Sequence, residues 1–335
     1  MELVSRVHAN NLVKVLKDRP DVYVLSADLT SSCEADLFRD AYPERFISGG
    51  IAEQNLVSFA GGLSREGFIP LIHTFGVFIY RRAYDQAAMS VAYPNLPVKF
   101  FGFLPGATTP GGATHQAIED IALMRSLPNM TVIEPGDATE AKGCLELALS
   151  INGPVYVRML RGEIPRLFDA SCPMKLDAPR VLSEGTDITL FSSGICTEEA
   201  MRATALLGQR GVSVTHVHIS THKPFNNTII PGLIGPAKYG VITLENHIVT
   251  GGLGTAVAEK MAEHKICKKL IKLGLRDTFI HGASRPYLMK KYGLDAMALV
   301  NACEELTGSA FDIKEPELES VRIDPVHSQA KPEAL

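Results

Sequence analysis

No two of the six cysteines in this 335-residue chain form a CxxC pair. Cys33, Cys144, Cys172, Cys196, Cys267 and Cys303 stand apart, which argues against a disulfide framework and a cysteine zinc site and suits small buried apolar residues. Long apolar runs are missing too: none approaches the roughly 18 residues of a membrane span. The opening MELVSRVHANNLVKVL lacks the basic stretch, apolar run and small-residue cleavage site of a secretory signal. The expected location is the cytoplasm, with no membrane partner. Nor is there an excess of positive charge: 33 Lys and Arg against 37 Asp and Glu give a net −4. Without a global basic field, nucleic acid is set aside as a partner.

The composition that remains, 46% hydrophobic and 21% charged, is that of a globular chain long enough for two domains. After an opening helix pattern (Leu12, Val13, Leu16), VYVLSADL reads as a buried strand, and strand and helix then alternate. Strands are expected near residues 70–74, 98–102, 131–134 and 155–159. Helices are expected near 52–63, 81–91, 118–127 and 139–150. Residues 166–186, with Pro173 and Pro179 and scattered charges, suit a linker. A second unit follows: DITLFSSG (strand and turn), TEEAMRATALLGQRG (helix with a Gly stop), VSVTHVHIS and KYGVITLENH (strands), and GGLGTAVAEKMAEH (loop and helix). The fold class expected is α/β, with two domains, each a mostly parallel sheet with helices on both faces, at 1–165 and 187–310. The polar, proline-bearing residues 311–335 read as a solvated tail.

The segment SGGIAEQNLVSFAGGLSREGFIPLIHTFGVFIYRRAYDQ, followed by GGATHQAIEDIALMRSLPNMTVIEPGDATEA, is similar to the pyrimidine-binding domain of thiamine-diphosphate enzymes of the transketolase type, and ITLENHIVTGGLGTAVAE resembles the C-terminal domain of the same family. The likeness runs from about Arg6 to Gly308. The N-terminal transketolase domain, whose GDG motif and following Asn hold a divalent metal and the cofactor diphosphate, has no counterpart; PGDAT at 135–139 lacks the second glycine. The resemblance therefore implies the C-terminal subunit of a split transketolase, inactive alone. It further implies an N-terminal partner chain carrying that motif in an α2β2 assembly, thiamine diphosphate shared between chains, Mg or another divalent metal held by the partner, a sugar phosphate substrate, and no metal ligand here.

Carried over residue by residue, the resemblance makes Glu53 the carboxyl group that drives the aminopyrimidine to its imino form; a carboxylate in a first helical turn also complements the helix dipole. Phe75 and Phe78 become the ring wall, with core packing as the other reading of Phe78. His115, in the family's G-x-THQ loop, becomes an oxyanion donor and proton shuttle. Gln116 only begins the next helix. His73 is a second donor candidate near the cofactor or a satisfied core histidine, and Asp28 is an acidic group near the cofactor or a turn former. Arg6, Ser32 and Arg158 fall where transketolases bind phosphate, and Arg161 competes with Arg158. Two family positions differ. An Asp four residues before the loop His is Gly111 here, and a His further upstream is Phe103, which together imply an atypical sugar. Gly111 could instead serve the backbone with a positive φ. GGLG lacks GxGxxG spacing, and Glu245, Asn246 and His247 are read as subunit-contact or C-terminal-domain structural residues with no catalytic role. The competing classes are the beta subunit of a 2-oxoacid dehydrogenase, a 1-deoxyxylulose-phosphate synthase fragment and a non-catalytic assembly subunit.

Overall fold

The computed structural model describes residues 2–321. Its first sheet has seven strands, ordered in space as Thr221–Lys223, Thr131–Ile133, Val155–Met159, Lys99–Phe103, Ile69–Phe75, Val22–Ser26 and Phe46–Ser48. All neighbours are parallel except the edge pair of Thr221–Lys223 with Thr131–Ile133. A parallel sheet covered on both faces needs runs that are apolar throughout, and VYVLS, KFFGF and VYVRM are buried along nearly their whole length. The second sheet has five strands in the order Leu270–Leu275, Gly240–Ile248, Ile188–Ser192, Val214–His218 and Arg180–Ser183. Only Arg180–Ser183 runs antiparallel there.

The expected helices form at Glu53–Arg65, Asp120–Ser126 and Ala138–Ser150. The last begins at Asp137, whose carboxylate accepts from Glu140 N at 2.8 Å and satisfies a first-turn donor. The expected helix over 81–91 is broken. Two π-helical stretches, Phe78–Arg82 and Ala87–Ala92, flank a single α turn, Tyr84–Gln86. This segment packs on Glu53–Arg65 so closely that a Cβ at Gly61 would stand 2.6 Å from the Ser90 carbonyl oxygen.

Three features depart from the expectations. Residues 166–186 are no free connection: Phe168 and Met174 are buried, Asp137 accepts from the amides of Leu167 and Phe168, and Arg180–Ser183 edges the second sheet. Residues 311–321 are not wholly solvated: Glu315–Ser320 is a helix that buries Leu318, and the irregular stretch before it buries Ile313, while the other side chains there are exposed or partly exposed. The rest of the expected tail, 322–335, lies outside the described residues. Finally, the two halves interlock, since Thr221–Lys223 follows a strand of the second sheet yet extends the first. Among the described residues no helix is long and apolar enough to cross a membrane.

Candidate active site

The functional candidates gather beyond the carboxyl ends of the parallel strands, where open α/β sheets bind their ligands. Phe75 closes Ile69–Phe75, the loop of Gly111 and His115 follows Lys99–Phe103, and Arg161 follows Val155–Met159.

Glu53 is the first residue of its helix and only 2% exposed. Arg82 Nη1 donates to both of its oxygens, at 3.0 and 2.8 Å, and the Arg82 side chain remains 45% exposed. That guanidinium lies 4.6 Å from the centroid of Phe78, so carboxylate, cation and ring form one continuous surface. Phe78 stacks on Phe75 with centroids 5.9 Å apart. The His115 ring meets both edgewise, at 6.0 Å from Phe75 and 5.6 Å from Phe78. His115 Nδ1 is 2.9 Å from the Thr114 hydroxyl. Phe78 is only partly buried, which favours a wall over plain core.

On the other flank Arg161 lies 5.9 Å from the Phe75 ring centroid, and its Nη1 donates to the Ser32 carbonyl at 3.0 Å. Arg6, in a left-handed conformation at the start of the first helix, binds the Gly162 carbonyl through its amide and ion-pairs with Asp36. Glu34 fastens this corner: its oxygens accept from the amides of His8, Ala9 and Gly162. Burial raises the Glu34 pKa against the pull of those donors. Arg6, Ser32 and Arg161 are thus brought together. Asp28 sits exposed with φ of 63° in the turn after Val22–Ser26.

Two expected site residues belong elsewhere. Arg158 is fully buried within its strand, bound to Asp120 at 2.9 Å and Glu134 at 2.6 Å, and to the carbonyls of Ala117 and Asn246. All of its donors point inward, so it joins the two halves rather than meeting a phosphate. His73 is buried, with Nε2 2.8 Å from His8 Nε2 and its ring stacked on Phe101. Burial lowers its pKa to about 4. Phe103 points into the same ring cluster, 5.7 Å from His8, and therefore lies in the core.

Gly111 abuts the loop histidine: a Cβ there would stand 2.9 Å from His115 Cβ. The left-handed glycine of the loop is its neighbour Gly112, with φ of 73°, so the backbone reading of Gly111 is replaced by a packing one. In the second half, the Glu245 carboxylate accepts from the amides of Leu253 and Gly254, and burial raises its pKa to about 7. It caps a helix, in keeping with a structural role. Arg82 and Glu34 were not singled out in the sequence, because their partners lie 29 and up to 128 residues away.

The buried carboxylate at one edge and the aromatic wall beside it suit an aminopyrimidine-sized ring. No group of three or more His, Cys, Asp or Glu side chains able to hold a metal occurs among the described residues. Fold and site together define a two-part α/β chain whose candidate residues gather at the strand ends of its first sheet.

Residues 4–166 match the family model for the transketolase pyrimidine-binding domain and residues 178–299 that for the transketolase C-terminal domain, and the chain belongs to the transketolase family. It is 37% identical to the 6-deoxy-6-sulfo-D-fructose transketolase subunit SqwH of Clostridium sp. (strain MSTE9), over 85% of this chain and 88% of that one. It is 30% identical to one of the subunits of the apulose-4-phosphate transketolase of Actinobacillus succinogenes, over 90% and 97% of the two chains. A solved structure described as a split gene transketolase, inactive beta4 tetramer, superposes with a TM-score of 0.83 at 38% identity, covering 90% of this chain and 97% of that one.

Proposed function

We propose that this chain is the C-terminal subunit of a two-chain transketolase of the cytoplasm. It transfers a two-carbon ketol unit from a ketose phosphate, or a less common sugar of that type, to an aldehyde, using thiamine diphosphate bound between it and an N-terminal partner. The observation that carries this is the pairing of buried Glu53 with the Phe75, Phe78 and His115 wall in a chain whose described residues offer no metal cluster. The partner supplies the diphosphate and divalent-metal ligands, in an α2β2 assembly. Four large exposed apolar side chains support a docking face: Ile51 at 74% exposure, Phe59, Met89 and Tyr93, on the Glu53 helix, the turn before it and the segment packed against it.

Bound there, the cofactor supplies the electron sink that ketol transfer requires. Glu53 holds and moves the proton at the pyrimidine edge, which requires Arg82 to release one carboxylate oxygen; the exposed guanidinium is free to swing outward. The rings of Phe75 and Phe78 exclude water from one face. In the tautomer in which Nδ1 accepts from the Thr114 hydroxyl 2.9 Å away, His115 Nε2 is the N–H that would donate to the oxygen that gains charge. Arg161, Arg6 and Ser32 receive the phosphate or other anionic end of the sugar, and Gly111 leaves room beside His115. Asp28 lies at the same end of the sheet, near the cofactor's path.

Calorimetry and a ketol-transfer assay test this. The chain alone should bind thiamine diphosphate negligibly, and adding the partner should restore binding that depends on a divalent metal. Tight binding by the isolated chain would sink the two-chain reading.

A further inference from the structure

We infer that residues 279–283 of the C-terminal half form a latch that positions the loop bearing His115, so that this half tunes a site to which it gives no catalytic residue. The two segments meet as closely as chains can. A Cβ at Gly282 would stand 2.2 Å from the Pro110 carbonyl oxygen, a contact nothing larger than glycine permits, and 3.4 Å from Gly112 N. Gln116, fully buried beside His115, donates to the Thr109 carbonyl at 3.1 Å and across the gap to the His281 carbonyl at 3.3 Å. Its Oε1 has no hydrogen-bond partner among the described residues, so the amide is held by its donor side alone. Arg81 closes the outer side: it donates to the Ala113 carbonyl at 2.9 Å and to Glu119, and lies 5.4 Å from the Phe279 ring.

The latch is itself anchored. His281 Nδ1 is 3.0 Å from the Tyr292 hydroxyl, its ring packs edgewise on Tyr287 at the helix Arg285–Lys291, and Ile280 is buried. Contacts therefore run from that helix through His281 and Gly282 to Pro110 and Gly112, on either side of Gly111. There the His115 amide bonds the Gly112 carbonyl at 2.9 Å. A donor that must meet a developing charge loses rate when its loop moves by a fraction of an ångström. Gly282, Gln116 and His281 are thus positioning residues.

The test uses Gly282→Ala and the milder His281→Ala. In the isolated full chain, amide exchange over residues 109–117 should quicken at least tenfold, with strands Lys99–Phe103 and Val155–Met159 unchanged. In the complex with its partner, kcat for ketol transfer should fall at least tenfold, with KM and thiamine diphosphate affinity within about twofold. A residue that merely stabilised the fold would speed exchange in the strands as well. The kinetic arm rests on the function proposed above and the exchange arm does not, so ketol transfer absent from the parent complex, with loop exchange quickened in the variants, sinks that function and keeps the latch. Unchanged exchange over 109–117 overturns the latch, as does uniformly faster exchange across loop and strands. If Gly282→Ala does not fold, His281→Ala decides by the same two criteria.

Discussion

Arg158 donates through Nη1 to Glu134 Oε1 at 2.6 Å, and neither side chain touches water to any extent. Its Nε binds Asp120, and Glu134 also binds His222 of the second half at 2.8 Å, so one guanidinium neutralises two buried carboxylates at the junction. Arg158→Met would leave both carboxylates uncompensated. Breaking a buried pair in this way costs about 3–5 kcal/mol, to be read from denaturant unfolding. Arg161→Met, at a partly exposed position, should change stability by less than about 1 kcal/mol and instead raise KM for the phosphorylated sugar about tenfold or more. The reverse pattern would return the phosphate role to Arg158.

Glu53→Gln keeps the side-chain volume and one acceptor for Arg82 but removes the exchangeable proton. Turnover of the complex should fall by about 10²-fold or more, with the thermal midpoint close to that of the parent chain. Near-normal turnover would show that the Glu53–Arg82 pair is only a helix-start ion pair.

What the sequence makes legible here is local. VYVLS and VTHVH announce buried strands because both faces of a parallel strand are covered, and the order Glu53, Phe75, Phe78, His115 follows a single motif. Partners that arrive from afar are not legible. Arg158 and Arg161 both sit near the end of one strand, and nothing local tells that Asp120 and Glu134 face the first while Ser32 and Phe75 face the second. His73 immediately precedes Thr74 and Phe75 at the strand end, and the His8 and Phe101 rings packed against it, both distant in sequence, reveal it as core. The three-residue strand Thr221–Lys223 is too short to carry a pattern, and its pairing joins segments about ninety residues apart.

The His8–His73 pair makes stability depend on acid. Burial holds His73 at about 4 and lowers His8 as well, with the neighbouring His73 adding to the effect, so both stay neutral in the folded chain. The unfolded chain binds a proton at each near pH 6.5. Stability is therefore fully present above about pH 6.5 and falls as pH drops toward 4, by up to about 1.4 kcal/mol per pH unit for each histidine. His73→Phe can stack on Phe101 in its place and removes one proton from this balance. Urea titrations between pH 7 and 4.5 should give a shallower slope by about that amount, whatever the offset from the lost hydrogen bond to His8. An unchanged slope would mean that His73 is not held neutral.

Gly111 carries the sharpest prediction about the substrate. A methyl group at this position would press on His115, 2.9 Å from its Cβ and 3.1 Å from its Cγ, and because Gly111 lies outside the left-handed region the backbone would tolerate it. Gly111→Ala should therefore push the His115 Cβ and its loop aside, lowering stability by about 1–3 kcal/mol and kcat by about tenfold or more, as the displaced imidazole misses the oxygen it serves. His115→Ala sets the limit of that loss at about 3 kcal/mol, with cofactor affinity nearly unaffected. Gly111→Asp adds to the same displacement a carboxylate able to accept from a sugar hydroxyl, so the difference between Asp and Ala isolates the charge. The ratio of specificity constants for xylulose 5-phosphate and for 6-deoxy-6-sulfo-D-fructose, the sugar that the Clostridium relative is named for, should move about tenfold toward the former in Gly111→Asp relative to Gly111→Ala. Equal ratios in the two variants would leave Gly111 with the packing role alone, and full turnover in Gly111→Ala would remove even that.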